Sequence, residues 1–467
     1  MKTTELAVIG AGPGGLSAAV TAAQAGVQVT LLDEYPRPGG QYLRGAHSVE
    51  AISAKSKTER RSRSLLEQLP SQNIKVRTGT LVWGIEGHRL ALHSSQGTEW
   101  LGAKKMIIAT GARELVTPFP GWTLPGVMTV GAAQILVKEH GVVPGKRILL
   151  AGSGPLLLAT ASALAKSEHE VSVLGILEAT QPQSWMKYAP VVLANLDRVQ
   201  EGWQYARSLF ANKIPYHFGY SVIRVEGTNR LTGATIARVD RQGKPVPGSE
   251  QSVPLDTLCI GFGFVPNIEL TQLAGCVHEY LPERGGWVPI IDETLETSVP
   301  GIYAVGETAG VSGAKTALIQ GQIAGAAIAR ELGKLNNEEF ARRYIPLNKQ
   351  LQPLKRFGSM LNTLFRPPPA LNNLITDETI ICRCEQIRAG EIRQAIRKGA
   401  HTLSDLKNWL PVGQGHCQGR TCGLLLARLI RNEIGMSVGR IDQFRPRPPL
   451  KPIPLGALGN LPGEEIQ

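Results

Sequence analysis

Two glycine turns, each set between a short apolar run and a helix of small residues, constrain the fold of this chain more than any other feature. Residues 6–10 read as a strand, Gly10-Ala11-Gly12-Pro13-Gly14-Gly15 as a turn, and Leu16 to Ala25 as a helix that Gly26 ends. Val27 to Leu32 is the next strand, and Asp33-Glu34 closes it. The pattern returns near Lys146, with strand Arg147–Ala151, turn Gly152-Ser153-Gly154-Pro155, a Leu/Ala helix to Lys166 and strand Glu170–Leu174. Two such βαβ units predict an α/β protein with two Rossmann-like dinucleotide-binding domains on parallel sheets. A third strand, Gly301 to Val305, runs into Gly306-Glu307 and a helix rich in Ala and Gly.

The chain has 467 residues, too many for one core, and about 150 residues per domain suggests roughly three domains. Hydrophobic residues make up 42% and charged residues 19%, which excludes a disordered chain. The net charge of +12 comes from scattered Lys and Arg with no basic run interleaved with aromatics, so no nucleic-acid partner is expected. A basic face suits an acidic protein partner or anionic cofactor phosphates. The apolar N-terminus is not read as a signal peptide, because cleavage would remove the first glycine turn. The segment Ile148 to Ala165 is interrupted by Gly152, Ser153, Gly154 and Pro155 and reads as strand, turn and helix, so no transmembrane segment is expected. Residues 335–376 read as a polar, basic linker with some helix, and the Pro-rich tail from Arg445 as an extended segment packed over a surface.

At the first turn, Gly10 makes the bend, Gly12 lets backbone approach a pyrophosphate, and Gly15 lets helix and strand pack closely. The helix N-terminus then offers N–H groups to the phosphates. Glu34, nineteen residues past Gly15, is the preferred partner for the ribose hydroxyls, with Asp33 the alternate. The second turn lacks the third glycine: Leu157 stands there. Its next strand brings no Arg pair for a 2′-phosphate. Either NAD rather than NADP binds at Gly152 and Gly154, or the unit is a structural domain with an altered nucleotide site.

Six cysteines are present. Cys259 and Cys276 stand alone and read as small buried residues. Cys382-Arg383-Cys384 and Cys417-Gln418-Gly419-Arg420-Thr421-Cys422 form two pairs 32 residues apart, joined by two expected short helices, Ala389–Lys398 and Leu403–Leu410. Clustered cysteines in a cytosolic enzyme bind metal more often than they form disulfides. Four thiolates suit iron–sulfur or zinc, and neither pair has the C-x2-C spacing of a zinc knuckle. Gly413, Gly415, Gly419 and Gly423 bring backbone N–H groups close enough to donate to sulfur.

These parts resemble known families. Gly39-Gly40-Gln41 after the acid, Thr110-Gly111-Ala112 after strand Lys105–Ala109, and Gly306-Glu307 before the last helix resemble the glutathione-reductase-like flavoproteins. That resemblance implies FAD at Gly10, Gly12, Pro13, Gly14, Gly15, Asp33 or Glu34, Gly40, Gln41, Thr110, Gly111, Gly306 and Glu307. The superfamily usually has Asp where Glu307 stands, one methylene shorter, so a ribityl contact competes with a repositioned flavin or a different nucleotide. The cysteine spacing resembles the bacterioferritin-associated-ferredoxin-like [2Fe–2S] domain in its C-x4-C variant, which implies Cys382, Cys384, Cys417 and Cys422 as iron ligands in a small helical iron–sulfur domain. Domains expected on this basis are 1–117 with 291–334 for FAD, 118–290 for a second nucleotide, 335–376 as linker, 377–432 for the cluster, and 433–467 as tail.

The run from Ala109-Thr110-Gly111-Ala112-Arg113-Glu114 through Pro118-Phe119-Pro120-Gly121-Trp122-Thr123-Leu124-Pro125-Gly126-Val127 to Gly152-Ser153-Gly154-Pro155, with the late cysteine block, resembles one group over essentially the whole chain. It is the α-type subunit of heteromeric FAD-dependent amino-acid dehydrogenases: hydrogen cyanide synthase, opine oxidase and D-hydroxyproline dehydrogenase. The resemblance implies a partner β subunit, like an amino-acid oxidase, that carries its own FAD and oxidises a C–N bond. It leaves room for a small third subunit. This chain would relay electrons toward a respiratory acceptor, in the cytoplasm, with any place at the inner membrane reached through its partners. The sequence has no CxxC beside the flavin motif, and His140, His169 and His217 are isolated. The other readings are a self-contained NADH-dependent flavin and iron–sulfur reductase, and an assembly subunit holding ATP or nothing at its nucleotide folds and zinc at its cysteines.

Overall fold

The structure is a computed structural model that describes residues 1–43, 57–71, 73–167, 170–181, 188, 191 and 196–459. The chain divides into two units, Met1–Arg113 with Val265–Ser359 and Arg445–Gln467, and Glu114–Phe264 with Met360–Phe444.

In the first unit Leu6, Ala7, Val8 and Ile9 are all buried, as a strand covered on both faces requires. The sheet runs Ile74–Arg77, Val29–Leu32, Lys2–Ile9, Gly97–Ile108, Arg89–Ser94, Leu81–Glu86, with Ile302–Ala304 also on Gly97–Ile108. Parallel register sets Ile9 beside Leu32 and Ile108, and Ile108 beside Ala304. The turns after these strands, at Gly10, Asp33, Ala109 and Val305, therefore open at one edge of the sheet, where doubly wound folds bind ligands.

Two helices cover that edge. Pro13–Gln24 begins at the glycine turn and Ala314–Glu331 crosses it. The crossing is backbone on backbone. A Cβ on Gly321 would lie 2.2 Å from the Gly14 carbonyl oxygen, and one on Gly325 would lie 2.6 Å from that of Ala18. The Ser17 hydroxyl ties the pair by donating to the Leu318 carbonyl at 2.7 Å. Within segment 335–376, expected as a linker with some helix, Asn337–Leu364 is one helix despite Pro346 and Pro353 inside it. Burial of Leu351, Leu354 and Phe357 outweighs the two missing N–H donors. The Pro-rich tail packs on this unit, where the Leu450 N–H meets the Trp83 carbonyl at 2.8 Å and the Leu450 side chain enters the core.

In the second unit a parallel sheet runs Tyr216–Phe218, Ser172–Glu178, Arg147–Gly152, Thr257–Gly261, Val127–Thr129, with a separate three-stranded antiparallel sheet. Strand Ser172–Glu178 finishes on Glu178. After Met360 the chain forms the short pair Ile380–Cys382 and Ile387–Arg388, then helices Ala389–Arg397, Leu403–Trp409 and Gly423–Ile434. Thr402 and Asp405 cap the second of these reciprocally, and the Asp442 carboxylate accepts from the Leu403 N–H at 2.6 Å. No helix among the described residues is long and apolar enough to cross a membrane.

Candidate functional site

The first glycine turn is shaped by contacts that only glycine permits. Gly10 has φ +102°, and a Cβ there would meet the Ala109 carbonyl oxygen at 2.3 Å. A Cβ on Gly15 would meet the Gly10 oxygen at 1.8 Å, so this glycine lets the helix close onto the turn. Around Gly12 the space is open except for the Gly40 Cα, 4.0 Å from where a Cβ would stand. The Gly39 N–H donates to the Ala11 carbonyl at 2.8 Å, which lays Gly39-Gly40 against the turn; Gln41 is exposed beyond it. Pro13 starts the helix, and Gly12 at its N-cap has no side chain to occupy the first-turn N–H groups.

Of the two acids, the structure sets Asp33 at this turn. Its carboxylate accepts from the Ala11 N–H at 2.6 Å and the Tyr35 N–H at 2.8 Å, and the residue is buried. Glu34, preferred from the sequence, lies at the surface in an ion pair with Lys451. Strand alternation is the reason: the residue after Leu32 turns toward the glycine loop and the next turns away.

The neighbouring strand ends complete the cradle. The Gly111 N–H donates to the buried Thr308 hydroxyl at 3.0 Å, and the Thr110 hydroxyl donates to the Asn267 carbonyl at 2.9 Å. Gly306, at φ +68°, donates its N–H to Gln320 Oε1 at 2.8 Å. Glu307 Oε1 accepts from the N–H of Gly313, the N-cap of helix Ala314–Glu331, at 2.8 Å. Glu307 thus ties the loop that leads into that helix. Thr308, Asn267 and Gln320 had no sequence signal; in the structure Gln320 is 2% exposed within the Ala/Gly-rich helix.

The second turn is built differently. Gly152 packs on Gly261, where a Cβ would come within 1.7 Å of the carbonyl oxygen. Leu157, in place of the third glycine, is buried in a cluster with Val130, Ile148 and Ala161. Glu178 is fully buried and takes four hydrogen bonds: the Gly154 N–H at 3.0 Å, the Thr180 N–H at 3.0 Å, the Thr180 hydroxyl at 2.8 Å and the Tyr216 hydroxyl at 3.2 Å. Burial nonetheless pushes its carboxyl above the usual carboxylate range. Phe365 packs over Gly154, its Cβ 3.7 Å from where a glycine Cβ would point.

The four late cysteines come together in the second unit. Cys382 ends its strand, Cys384 lies in the next turn, Cys417 is in a turn, and Cys422 is the N-cap of helix Gly423–Ile434. Cys382 and Cys422 are each 1% exposed, whereas Cys384 and Cys417 are half-buried. The thiols lie near enough to shift one another. The Cys422 thiol, then the N–H groups of Glu385, Gly413 and Cys384, pull Cys382 down to about 6, and the same contact with burial pushes Cys422 up. Cys384 is raised by burial; burial also opposes ionisation of Cys417, but the Thr421 N–H, the Cys384 thiol and the Gly419 N–H bring it net below the ordinary thiol. Among the described residues no group of three or more His, Cys, Asp or Glu is arranged to hold a metal ion. Four thiols with backbone N–H donors beside them are the donor set that an iron–sulfur cluster takes.

Two further features shape these loops. Gln386 and Gln418 both adopt left-handed backbone, at φ +56° and +50°. Such non-glycine residues are strained and persist where the surroundings fix them. The Phe444 ring lies on the loop glycines: a Cβ on Gly419 would meet its Cδ2 at 2.2 Å, and one on Gly413 its Cζ at 2.7 Å. Those glycines therefore seat an aromatic ring as well as bringing N–H groups to sulfur. Cys259 and Cys276 are buried as expected. His140 and His217 are exposed; His169 lies outside the described residues.

Residues 4–331 match the family Pyridine nucleotide-disulphide oxidoreductase, and residues 380–432 match the BFD-like [2Fe-2S] binding domain. The chain belongs to the pyridine nucleotide-disulphide oxidoreductase family. It is 32% identical to a subunit of the opine oxidase of Rhizobium meliloti, across 98% of this chain and 88% of that protein. It is 33% identical to hydrogen cyanide synthase subunit HcnB of Pseudomonas aeruginosa, across 97% of this chain and 98% of that one. Among solved structures it is similar to L-proline dehydrogenase from P. horikoshii, with TM-score 0.69 and 21% identity over 98% of this chain and 79% of the other, a likeness of fold. The family and the C-terminal domain make this chain an FAD-dependent oxidoreductase with a [2Fe–2S] domain.

Proposed function

We propose that this chain is the electron-transfer subunit of a heteromeric dehydrogenase that oxidises a C–N bond of an amino acid, imino acid or opine. In this reading a separate FAD-bearing subunit, resembling an amino-acid oxidase, holds the substrate, and electrons leave toward a respiratory acceptor. The observation that carries it is one chain with a dinucleotide cradle and a four-cysteine site, with no cluster of substrate-handling groups beside the cradle among the described residues. There is no CxxC, and the buried acids Asp33 and Glu178 are both engaged with backbone N–H groups. The named relatives are themselves subunits, which supports a partner.

Gly10, Gly12, Pro13, Gly14 and Gly15 would seat the pyrophosphate of FAD, and Asp33, at the same turn, would reach the adenosine ribose. Thr110, Gly111, Gly306 and Glu307 would line the flavin end, and Gly40 and Gln41 would close over the turn. Cys382, Cys384, Cys417 and Cys422 would hold the cluster. When bound, FAD can take up an electron pair and release it one electron at a time, and a [2Fe–2S] cluster carries electrons singly, which is the chemistry a relay needs. At the second turn, Glu178 has no lone pair left for ribose hydroxyls and Phe365 covers Gly154, which supports an altered nucleotide site over a working NADH site. The test is steady-state dye reduction, with opine, proline-type and glycine substrates, by this chain, by a co-expressed oxidase-like subunit, and by the pair. The pair alone should turn over. Turnover by the isolated chain, or rapid flavin bleaching on adding NADH, would reject the relay.

A further inference from the structure

The run Pro118–Val127 carries much of the family likeness but has had no part in either site so far. Its Trp122 is 3% exposed, and the indole Nε1–H donates to the Ile380 carbonyl at 2.8 Å. Ile380 opens the strand that ends in Cys382. Against the same ring lies Arg383, the residue between Cys382 and Cys384, its guanidinium carbon 5.4 Å from the ring centroid. Arg383 is exposed and makes no ion pair among the described residues. The neighbouring cations Arg388, Arg393 and Arg397 are each paired with a carboxylate. One cation beside the cysteine pair is thus held by an aromatic face and left unneutralised.

We propose that Trp122 is a positioning residue that holds the Cys382 strand and the Arg383 charge against the cluster, and that Arg383 raises the cluster's reduction potential. Reduction adds one negative charge to the cluster and its thiolates, so a nearby cation favours the reduced form. Solvent screens an exposed charge, which limits the effect. Stacking on a buried indole opposes that loss, because it covers one face of the guanidinium and fixes where the charge stands. The inference rests on the four cysteines being the cluster ligands. Iron and sulfide per chain test that assignment separately from the potential.

The experiment is a redox titration of the full-length, cluster-loaded chain, followed by electron paramagnetic resonance of the reduced cluster. In Arg383→Gln the reduced-to-oxidised ratio at a fixed solution potential should fall roughly three- to tenfold, tenfold being about 59 mV for one electron. Arg383→Lys keeps the charge and should restore most of the ratio. Trp122→Phe keeps the ring but loses the N–H, and should show a smaller fall in the same direction. The double variant should fall no further than Arg383→Gln alone, because Trp122 acts through Arg383. Unchanged ratios in Arg383→Gln at full iron and sulfide content, failure of the Lys variant to restore the ratio, or fully additive shifts would overturn the proposal. Should Arg383→Gln lose the cluster, Trp122→Phe decides: a lowered ratio supports the proposal and an unchanged one overturns it.

Discussion

Asp33 and Glu178 stand at equivalent places, each near the end of the second strand of a βαβ unit, yet their surroundings assign them different work. Asp33 braces an open glycine turn through the Ala11 N–H. Removing it strands a buried donor, a loss of about 1–3 kcal/mol. Asp33→Ala should therefore lower the thermal midpoint and the flavin bound per chain. Glu34→Ala removes only a surface pair with Lys451, a contribution of about 0–1 kcal/mol, and should leave both nearly unchanged. If Glu34→Ala loses the flavin and Asp33→Ala keeps it, the ribose assignment reverses. Glu178 supplies a pH test. Burial raises its carboxyl above the ordinary value, so the folded chain holds that proton more tightly than the unfolded chain. Its contribution favours folding at low pH and is lost as pH rises through the folded value. Denaturant unfolding from pH 4 upward should show that decline, and Glu178→Gln should flatten it. A variant with the same pH slope would show that other groups carry it. The sequence located both acids but could not rank Asp33 over Glu34, because a one-residue shift in strand end decides which side chain faces the turn. Thr308 and Gln320 were invisible for another reason: their partners are 197 and 14 residues away in the chain, and neither type carries a periodic signal.

At the scale of elements, the glycines at 321 and 325 set how closely two helices cross. Gly321→Val would drive side-chain atoms into the Gly14 carbonyl, 2.2 Å from the first added carbon. Overpacking of this kind costs about 1–3 kcal/mol, and here it also pushes the helix that opens at the first glycine turn. The variant should lose bound flavin more severely than its drop in thermal midpoint predicts, read from absorbance per chain against unfolding. Normal flavin content would show that the crossing can open without disturbing the turn. Periodicity and capping residues made the helices around the cysteines legible: Ala389–Arg397 and Leu403–Trp409 end within a residue of expectation. Helix Asn337–Leu364 was not legible, because Pro346 and Pro353 argue locally against it and only burial of Leu351 and Leu354 argues for it. The Phe444 contact was hidden likewise, since a loop glycine looks the same whether it donates to sulfur or seats a ring.

For the whole molecule, the division of cofactor sites between units makes a separable prediction. The residues proposed for the flavin lie in the unit that contains residues 1–113 and 265–359, whereas the four cysteines lie in the unit that contains residues 360–444. Cys384→Ser and Cys417→Ser should lose iron and sulfide while keeping flavin, because no residue of the cradle belongs to the cysteine segment. If the chain is a relay, those variants paired with the oxidase-like subunit should still let substrate reduce the flavins under anaerobic conditions but should stop onward dye reduction. Two half-reactions distinguish the possibilities: flavin bleaching by substrate, and dye reduction under steady state. Loss of both would mean that the cysteine segment is needed for assembly with the partner rather than for electron output. Retention of both would place the cluster off the electron path. Loss of dye reduction alone, at full flavin content and with the complex intact by gel filtration, is the outcome the relay requires.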